Sequence, residues 1–206
     1  MRKIKFLLLT TLCLLMFTKN MSSQVVKQGQ VVVNGYYGIN VFTAVLRAAY
    51  YQNSSTQQNF AIKGFGPIGG YVEYMMTDKI GIGIDGYYAN TSITWNEQDY
   101  DANNNPIVYS YKVSIPRVGV LARANFHFSD SDVFDAYGIV AMGMKNVSYN
   151  ATSTNPLYVP VSAPGLIPVA MKLGVGFRYF FTDDFGLNGE MALGTPLLAG
   201  GLSIKF

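Results

Sequence analysis

The chain has 206 residues, which is enough for one domain, and it carries a formal net charge of +3 with one histidine and one cysteine. Only 13% of its residues are charged, about half of the roughly 25% typical of soluble domains. A lone cysteine excludes an internal disulfide, and so small a charge excess argues against a clustered basic surface for nucleic acid.

The first 23 residues have the layout of a secretory signal peptide. Basic residues at positions 2, 3 and 5 precede the apolar run Phe6 to Phe17, and small residues follow in Met21-Ser22-Ser23. The apolar run has 12 residues, which is short of the roughly 20 that a transmembrane helix needs. We therefore predict a signal peptide at residues 1–23, cleavage after Ser23, and a single domain at residues 24–206.

Cleavage at this point changes what the composition indicates. The predicted signal peptide holds four of the basic residues and the only cysteine, Cys13, so the mature chain has 11 basic and 12 acidic residues and no thiol. We expect neither nucleic-acid binding nor thiol chemistry of it.

Eight later segments alternate with a period of two, which predicts β-strands. In the clearest one, Val169 to Phe181, the odd-numbered residues are apolar and the even-numbered ones include Lys172 and Arg178. Hydrophobicity that is distributed by alternation, without a long apolar run, is typical of a transmembrane β-barrel. The predicted strands lie near residues 31–44, 64–77, 80–88, 108–128, 134–149, 169–181, 185–193 and 200–206.

Two of these strands have an irregular pattern. In the fourth, the apolar residues are even-numbered after Pro116 and odd-numbered before it, so we predict a β-bulge at this proline. In the fifth, residues 134–149, both faces are mostly apolar or small, and the pattern does not decide which face points inward.

The cost of exposure decides the orientation of the other strands. If the apolar faces pointed inward, water would contact glycine-rich faces with only one or two charges per strand. If they point outward into lipid, the charges share a narrow interior, where Glu73, Asp85 and Glu190 should pair with some of the bases. Glycines on the inner face would then make room for arginines, and an eight-stranded barrel would be filled. The predicted interior polar network is Glu73, Asp85, Arg117, Arg123, Lys172, Arg178, Glu190 and Lys205.

The connections between the strands alternate in length. Short, Asp-rich turns at 77–79, 129–133 and 182–184 alternate with longer links at 50–63, 96–107 and 150–168, as expected for short periplasmic turns and longer outer loops. The predicted fold is all-β, an eight-stranded antiparallel up-and-down transmembrane β-barrel. A ten-stranded barrel stays open, because Leu157 to Val161 could extend a hairpin.

Three features carry a resemblance to a known family: the glycine-and-aromatic strand Gly69 to Tyr74, the alternating strand after Ile115-Pro116, and a terminal strand that ends on Phe206. With them the chain resembles the small outer-membrane β-barrel proteins of Gram-negative bacteria, of the OmpA and OmpX type. The resemblance implies export to the outer membrane and contact with its lipid and lipopolysaccharide. It also implies that the barrel-assembly machinery reads Leu202, Ile204 and Phe206.

Several functions are open to such a barrel. We first expect a non-enzymatic protein for envelope integrity or surface interaction, with an extracellular ligand at the outer loops and Pro156 to Pro168 as the contact surface. The alternatives are a narrow channel or small-molecule transporter, and an enzyme that acts on lipids. His127 and Ser129 are the residue types of a lipid A deacylase. The fourth strand descends, however, so His127 would lie at the periplasmic rim, and a structural role is favoured.

No cofactor or metal is predicted. The segment Asp99 to Asn103 resembles the start of a calcium loop, but Asn104 stands where the turn glycine belongs and Ser110 where the bidentate glutamate belongs. A solvated acidic loop is favoured over weak binding of a divalent cation.

Overall fold

Residues 24–50, 58–165 and 168–206 are described in a computed structural model of the protein. The predicted signal peptide and its cleavage site lie outside these ranges. Within them, no helix is both long and apolar enough to cross a membrane. In chain order the elements are β1 (Val31–Gly38), α1 (Val41–Tyr50), β2 (Gln58–Met75), β3 (Ile80–Tyr100), β4 (Pro106–His127), β5 (Phe134–Ser153), β6 (Val161–Pro164), β7 (Val169–Phe180), β8 (Phe185–Leu193) and β9 (Leu198–Lys205).

Eight of the strands close into a ring of antiparallel neighbours. β1 pairs with β2 on one side and with β9 on the other, and the ring continues through β3, β4, β5, β7 and β8. Among the described strands, β6 alone lies outside the ring, paired with the end of β5. The predicted eight-stranded antiparallel barrel is confirmed, whereas the ten-stranded alternative is wrong, because the segment after Leu157 adds only this four-residue strand.

The strands differ in length by a factor of two. β2 to β5 have 18 to 22 residues, whereas β1, β7, β8 and β9 have 8 to 12. The four long strands extend past the short ones as a half-shell, formed by residues 58–65, 89–100, 106–117 and 146–153 together with β6. The predicted links were therefore too long, since β2 begins at Gln58 and the β3–β4 turn covers only residues 101–105.

The half-shell keeps the alternation of the barrel but exchanges its chemistry. Along the whole of β4 the odd-numbered side chains point inward, with Arg123 and His127 buried in the barrel and Val113 buried in the half-shell. The register with β3 runs without a shift through the pair Asn90–Pro116. The predicted bulge at Pro116 is therefore wrong. The apolar residues change faces there because the half-shell buries them inside, as a protein surrounded by water does.

The helix α1 replaces the upper part of the predicted first strand, which ends at Gly38 rather than near residue 44. Asn40 caps the helix, since its Oδ1 accepts the backbone N–H of Thr43 at 3.2 Å, and the Ala, Leu and Arg residues that follow favour helix. α1 lies along the upper part of β2, where Arg47 Nε donates to the carbonyl of Ile62 at 2.8 Å. Because β1 is short, it leaves the edge of the upper part of β2 unpaired, and α1 covers this edge.

The segment before β1 closes the end of the barrel where the short turns lie. Val25 and Val26 are buried there together with Val32, Met75 and Phe180. This apolar plug was not predicted, because two adjacent valines show no period that places them inside a barrel.

Candidate functional site: the ion-paired barrel interior

The charged side chains fit inside the barrel because glycines face them. A Cβ at Gly81 would meet the carboxylate of Glu73, and a Cβ at Gly176 would meet the ring of Tyr137. The interior of an eight-stranded barrel is only wide enough for side chains to fill. Alternation of glycine with charged or aromatic residues therefore builds a packed polar core.

Four side chains form the lower cluster, which lies nearer the short turns: Glu73, His127, Asp135 and Arg178. Arg178 donates through Nη1 to Asp135 at 2.8 Å and through Nη2 to Glu73. His127 lies between the same two carboxylates, with Nδ1 2.8 Å from Asp135 and Nε2 3.0 Å from Glu73. All four residues are buried, so each carboxylate is compensated by two basic partners and not by solvent.

The hydrogen-bond geometry assigns a proton to each ring nitrogen of His127. Both nitrogens face carboxylate oxygens, which only accept hydrogen bonds when ionised. A neutral imidazole would turn one bare nitrogen towards an anion, whereas an imidazolium donates to both. With His127 charged, the four buried carboxylates Glu73, Asp85, Asp135 and Glu190 are matched by the four cations Arg123, His127, Lys172 and Arg178.

The upper cluster consists of Asp85, Arg123, Lys172 and Glu190. Arg123 donates to Glu190 at 2.6 Å and to Asp85 at 3.3 Å. Lys172 Nζ donates to the same two carboxylates, at 2.7 Å and 3.0 Å respectively. The hydroxyl of Tyr36 adds a hydrogen bond to Asp85 at 2.7 Å. Each base thus contacts both acids, and removal of one member leaves a buried charge without its partner.

Two tyrosines join the clusters. The hydroxyls of Tyr71 and Tyr137 are 2.8 Å apart, Arg178 Nη2 lies 3.2 Å from the Tyr71 hydroxyl, and the Tyr137 hydroxyl donates to Glu190 at 3.1 Å. The guanidinium of Arg123 stacks 3.7 Å from the centre of the Tyr71 ring. The interior is therefore one continuous network that spans seven strands, from β1 to β5 and then β7 and β8.

Arg117 lies above both clusters, at the base of the half-shell. Its Nη2 donates to Asn40 at 2.8 Å and to Thr91 at 3.2 Å, and its guanidinium lies 4.6 Å from the centre of the Phe42 ring. No carboxylate in the described part of the chain lies within ion-pair distance of it. Arg117 therefore ties α1 to the inner wall and does not join the ion-pair network.

Lys205 lies at the opposite end, where its Nζ donates to the carbonyl of Val25 at 2.8 Å. It therefore fastens the apolar plug. The structure thus brings together six of the eight predicted interior residues and places Arg117 and Lys205 at the two mouths. Leu202, Ile204 and Phe206 share the exposed outer face of the terminal strand.

His127 and Asp135 were missing from the predicted network. Asp135 was missed because the inward face of the fifth strand was not decided; its odd-numbered residues Asp135, Tyr137 and Ile139 are the buried ones. A charge count could have revealed the omission, since the predicted set holds three acids and five bases, whereas a buried cluster tends towards neutrality.

The pairing of a histidine with a serine, which a lipid A deacylase would need, does not form between His127 and Ser129. Both nitrogens of His127 are bound to carboxylates, and the hydroxyl of Ser129 donates to the carbonyl of Phe134 at 2.7 Å. In the described ranges, no group of three or more His, Cys, Asp or Glu side chains is arranged to hold a metal ion.

The acidic segment at the tip of the β3–β4 hairpin is organised by its own backbone. Asp101 Oδ1 accepts the N–H groups of Asn103 and Asn105 at 2.8 Å each, and Oδ2 accepts from the Asn105 side chain at 3.0 Å. The bonds from Asn105 and Asn103 hold the pKa of Asp101 below its usual value. Its carboxylate therefore acts as a turn-forming group.

Comparisons with known proteins found similarity in structure only. No protein-family model matches the chain, and no curated protein matches it in sequence. The N-terminal β-barrel domain of OprF from Pseudomonas aeruginosa matches with a TM-score of 0.45 at 13% identity, over 88% of this chain and 100% of that one. Ail, the attachment invasion locus protein of Yersinia pestis, matches with a TM-score of 0.44 at 11% identity, over 87% and 99%.

The outer membrane protein OprG from Pseudomonas aeruginosa matches with a TM-score of 0.44 at 11% identity, over 89% of this chain and 99% of that one. The likeness to these solved structures is one of fold and not of sequence.

Proposed function

We propose that the protein is an integral outer-membrane barrel without enzymatic activity, whose interior is closed and whose half-shell makes contacts outside the cell. The observation that carries this proposal is the inverted burial of the barrel. Arg178 and Glu73 are buried inside, whereas Ile84 and Met171 are more than 60% exposed on the outer wall. Each large apolar side chain gains about 1.5–3 kcal/mol when it leaves water, so this surface favours a lipid surround.

The strand lengths support an assignment of the two barrel ends to the two sides of the membrane. Outer-membrane barrels have short periplasmic turns and longer outer segments. The half-shell would then stand outside the cell, and the apolar plug with the short turns would face the periplasm.

A closed interior favours a surface role over transport. Val25 and Val26 close the periplasmic end, the two ion-pair clusters fill the middle, and Asn40, Phe42 and Arg117 narrow the outer mouth. A solute would have to separate buried ion pairs at a cost of about 3–5 kcal/mol for each partner left alone.

The segment between β5 and β6, next to the half-shell, offers an apolar contact surface. Beyond β5 the side chains of Leu157 and Val159 are 89% and 77% exposed. Exposed apolar side chains that lie close together are typical of surfaces that bind a partner. We propose this stretch, within residues 156–164, as the site of an extracellular contact.

Membrane insertion is tested by two substitutions on one face of β3. Ile84→Arg places a charge in the proposed lipid-facing belt. It should make the free energy of folding into phospholipid bilayers less favourable by about 2–4 kcal/mol. Ser92→Arg is the matched control, because Ser92 lies on the same face but in the half-shell, where we expect a change near zero. Urea titrations of folding into liposomes measure both. Equal effects of the two substitutions would contradict the membrane assignment.

A further inference from the structure

Two basic side chains are neighbours on the inner face, at the base of the half-shell. Arg117 and Gly119 are consecutive inward positions of β4, and the register pairs Gly119 with Lys145 of β5. Arg117 and Lys145 are therefore diagonal neighbours on one face, about 7–8 Å apart, which two long side chains can bridge. Both residues are partly buried.

The inner-face positions that adjoin this pair carry no acid. They are Ala89, Ile115, Gly119, Gly143 and Val147. Among the residues that the structure describes, no carboxylate lies within ion-pair distance of Arg117 or Lys145. The two clusters below supply no spare acid, because each of their four carboxylates is matched by a cation. Like charges on neighbouring strands destabilise each other, so this part of the wall favours the binding of an anion.

The guanidinium of Arg117 is held in place and keeps unused donors. Nη2 donates to Asn40 and Thr91, and the ring of Phe42 lies over the group. Nε is buried and forms no hydrogen bond within the described ranges, and none of the described residues accepts from Nη1. A guanidinium has five N–H donors, and its planar shape matches the oxygens of carboxylate and phosphate groups.

The short strands leave this level of the wall uncovered. β7 begins opposite Met144, so Lys145 lies just beyond its end. β1 ends at Gly38, and Arg117 contacts Asn40, two residues after that end. The basic pair therefore faces the open side of the half-shell, where a dissolved ligand can reach it.

We propose that Arg117 and Lys145 form a binding site for a soluble oxyanion with two or more negative charges, such as a phosphate monoester or a dicarboxylate. Arg117 Nη1 and Lys145 Nζ donate to the anion, which supplies the countercharge that the wall lacks. The inference goes beyond the proposed function. It needs the barrel and the half-shell, but neither a membrane around them nor a partner at residues 156–164.

The test is isothermal titration calorimetry of the full-length mature protein in a non-ionic detergent, at constant ionic strength. Pyrophosphate and citrate are the probes, so that phosphate and carboxylate groups are both examined. The wild type should bind at one saturable site. Lys145→Gln removes a charge that no described side chain uses, and it should weaken binding about tenfold or more. Arg117→Gln should weaken binding at least as much.

Lys112→Gln is the matched control. It removes the same charge from β4, five residues before Arg117, but from the exposed outward face. It should bind both probes as the wild type does. Migration of unboiled samples on gels verifies that every variant has folded.

Three results would overturn the proposal: no saturable binding of either probe to the wild type, unchanged binding by folded Lys145→Gln, or equal weakening by Lys112→Gln. Insertion into liposomes is measured separately. A protein that binds the probes but does not insert overturns the proposed function and leaves this inference in place.

Discussion

A single histidine decides whether the barrel interior is neutral. Replacement of His127 by Gln would remove one of the four cations of the ion-pair clusters and leave Glu73 and Asp135 sharing only Arg178. We expect a loss of about 3–5 kcal/mol in the free energy of unfolding, because a buried carboxylate loses its partner. Urea unfolding of the barrel in micelles, followed by circular dichroism, measures the change.

The double variant His127→Gln with Asp135→Asn restores equal numbers of buried acids and bases. It should recover a substantial part of the stability lost by His127→Gln alone, since the unmatched charge has been removed. If the double variant is instead less stable than either single variant, the assignment of a charged His127 is wrong.

At the scale of residues, the sequence was informative wherever glycine alternates with a charge. Lys172 and Arg178 lie on either side of Gly174 and Gly176 on one face of a regular strand, so their common face could be predicted. Asp135 was not readable, because its neighbours on both faces are apolar or small, and the plug residues Val25 and Val26 belong to no repeating element.

Among the elements, α1 depends on its first residue. Asn40→Ala removes the acceptor for the Thr43 N–H and for Arg117, and loss of an N-cap costs about 0.5–2 kcal/mol. Amide hydrogen exchange across residues 41–49 should therefore become faster, while the barrel strands stay protected. Asn40→Ser keeps a capping oxygen and should leave exchange in α1 near the wild-type rate; equal acceleration in both variants would show that capping does not hold the helix.

The tip of the β3–β4 hairpin should respond to acid. The folded turn lowers the pKa of Asp101, so its stabilisation is present above the usual aspartate pKa and is lost as pH falls through the lowered value. NMR titration of the Asp101 side-chain carbon should give a pKa below that of a free aspartate, and Asn105→Ala should raise it. An Asp101 pKa at or above the usual value would contradict the turn geometry.

Pro116 shows why element boundaries were harder to read than the elements themselves. Eight alternating segments were enough to predict the ring of strands, but a change of apolar face was interpreted as a bulge. The side chains of β4 keep their inward and outward alternation through Pro116. What changes there is the surroundings of the strand. A sequence pattern reports which face of a strand is apolar but not what that face touches. A β-bulge and a change of surroundings therefore fitted the same residues.

For the whole molecule, two apolar arrangements coexist in one continuous sheet. The barrel is apolar outside and ionic inside, and the half-shell is the reverse, with Ile62 and Val113 buried and Lys112 exposed. This exchange defines the boundary between the proposed membrane zone and the extracellular zone. It also explains why the predicted outer loops contain ordered strand.

A filled barrel that lies in the membrane and is closed should not conduct ions. Single-channel recording in planar bilayers tests it most directly, with insertion verified on the same preparation by protease protection and with a porin as the conducting control. We expect a quiet bilayer, because the plug, the two ion-pair clusters and the contacts of Arg117 block the interior at successive levels. Reproducible conductance steps of uniform size from the inserted wild-type protein would contradict it and would favour the transporter alternative.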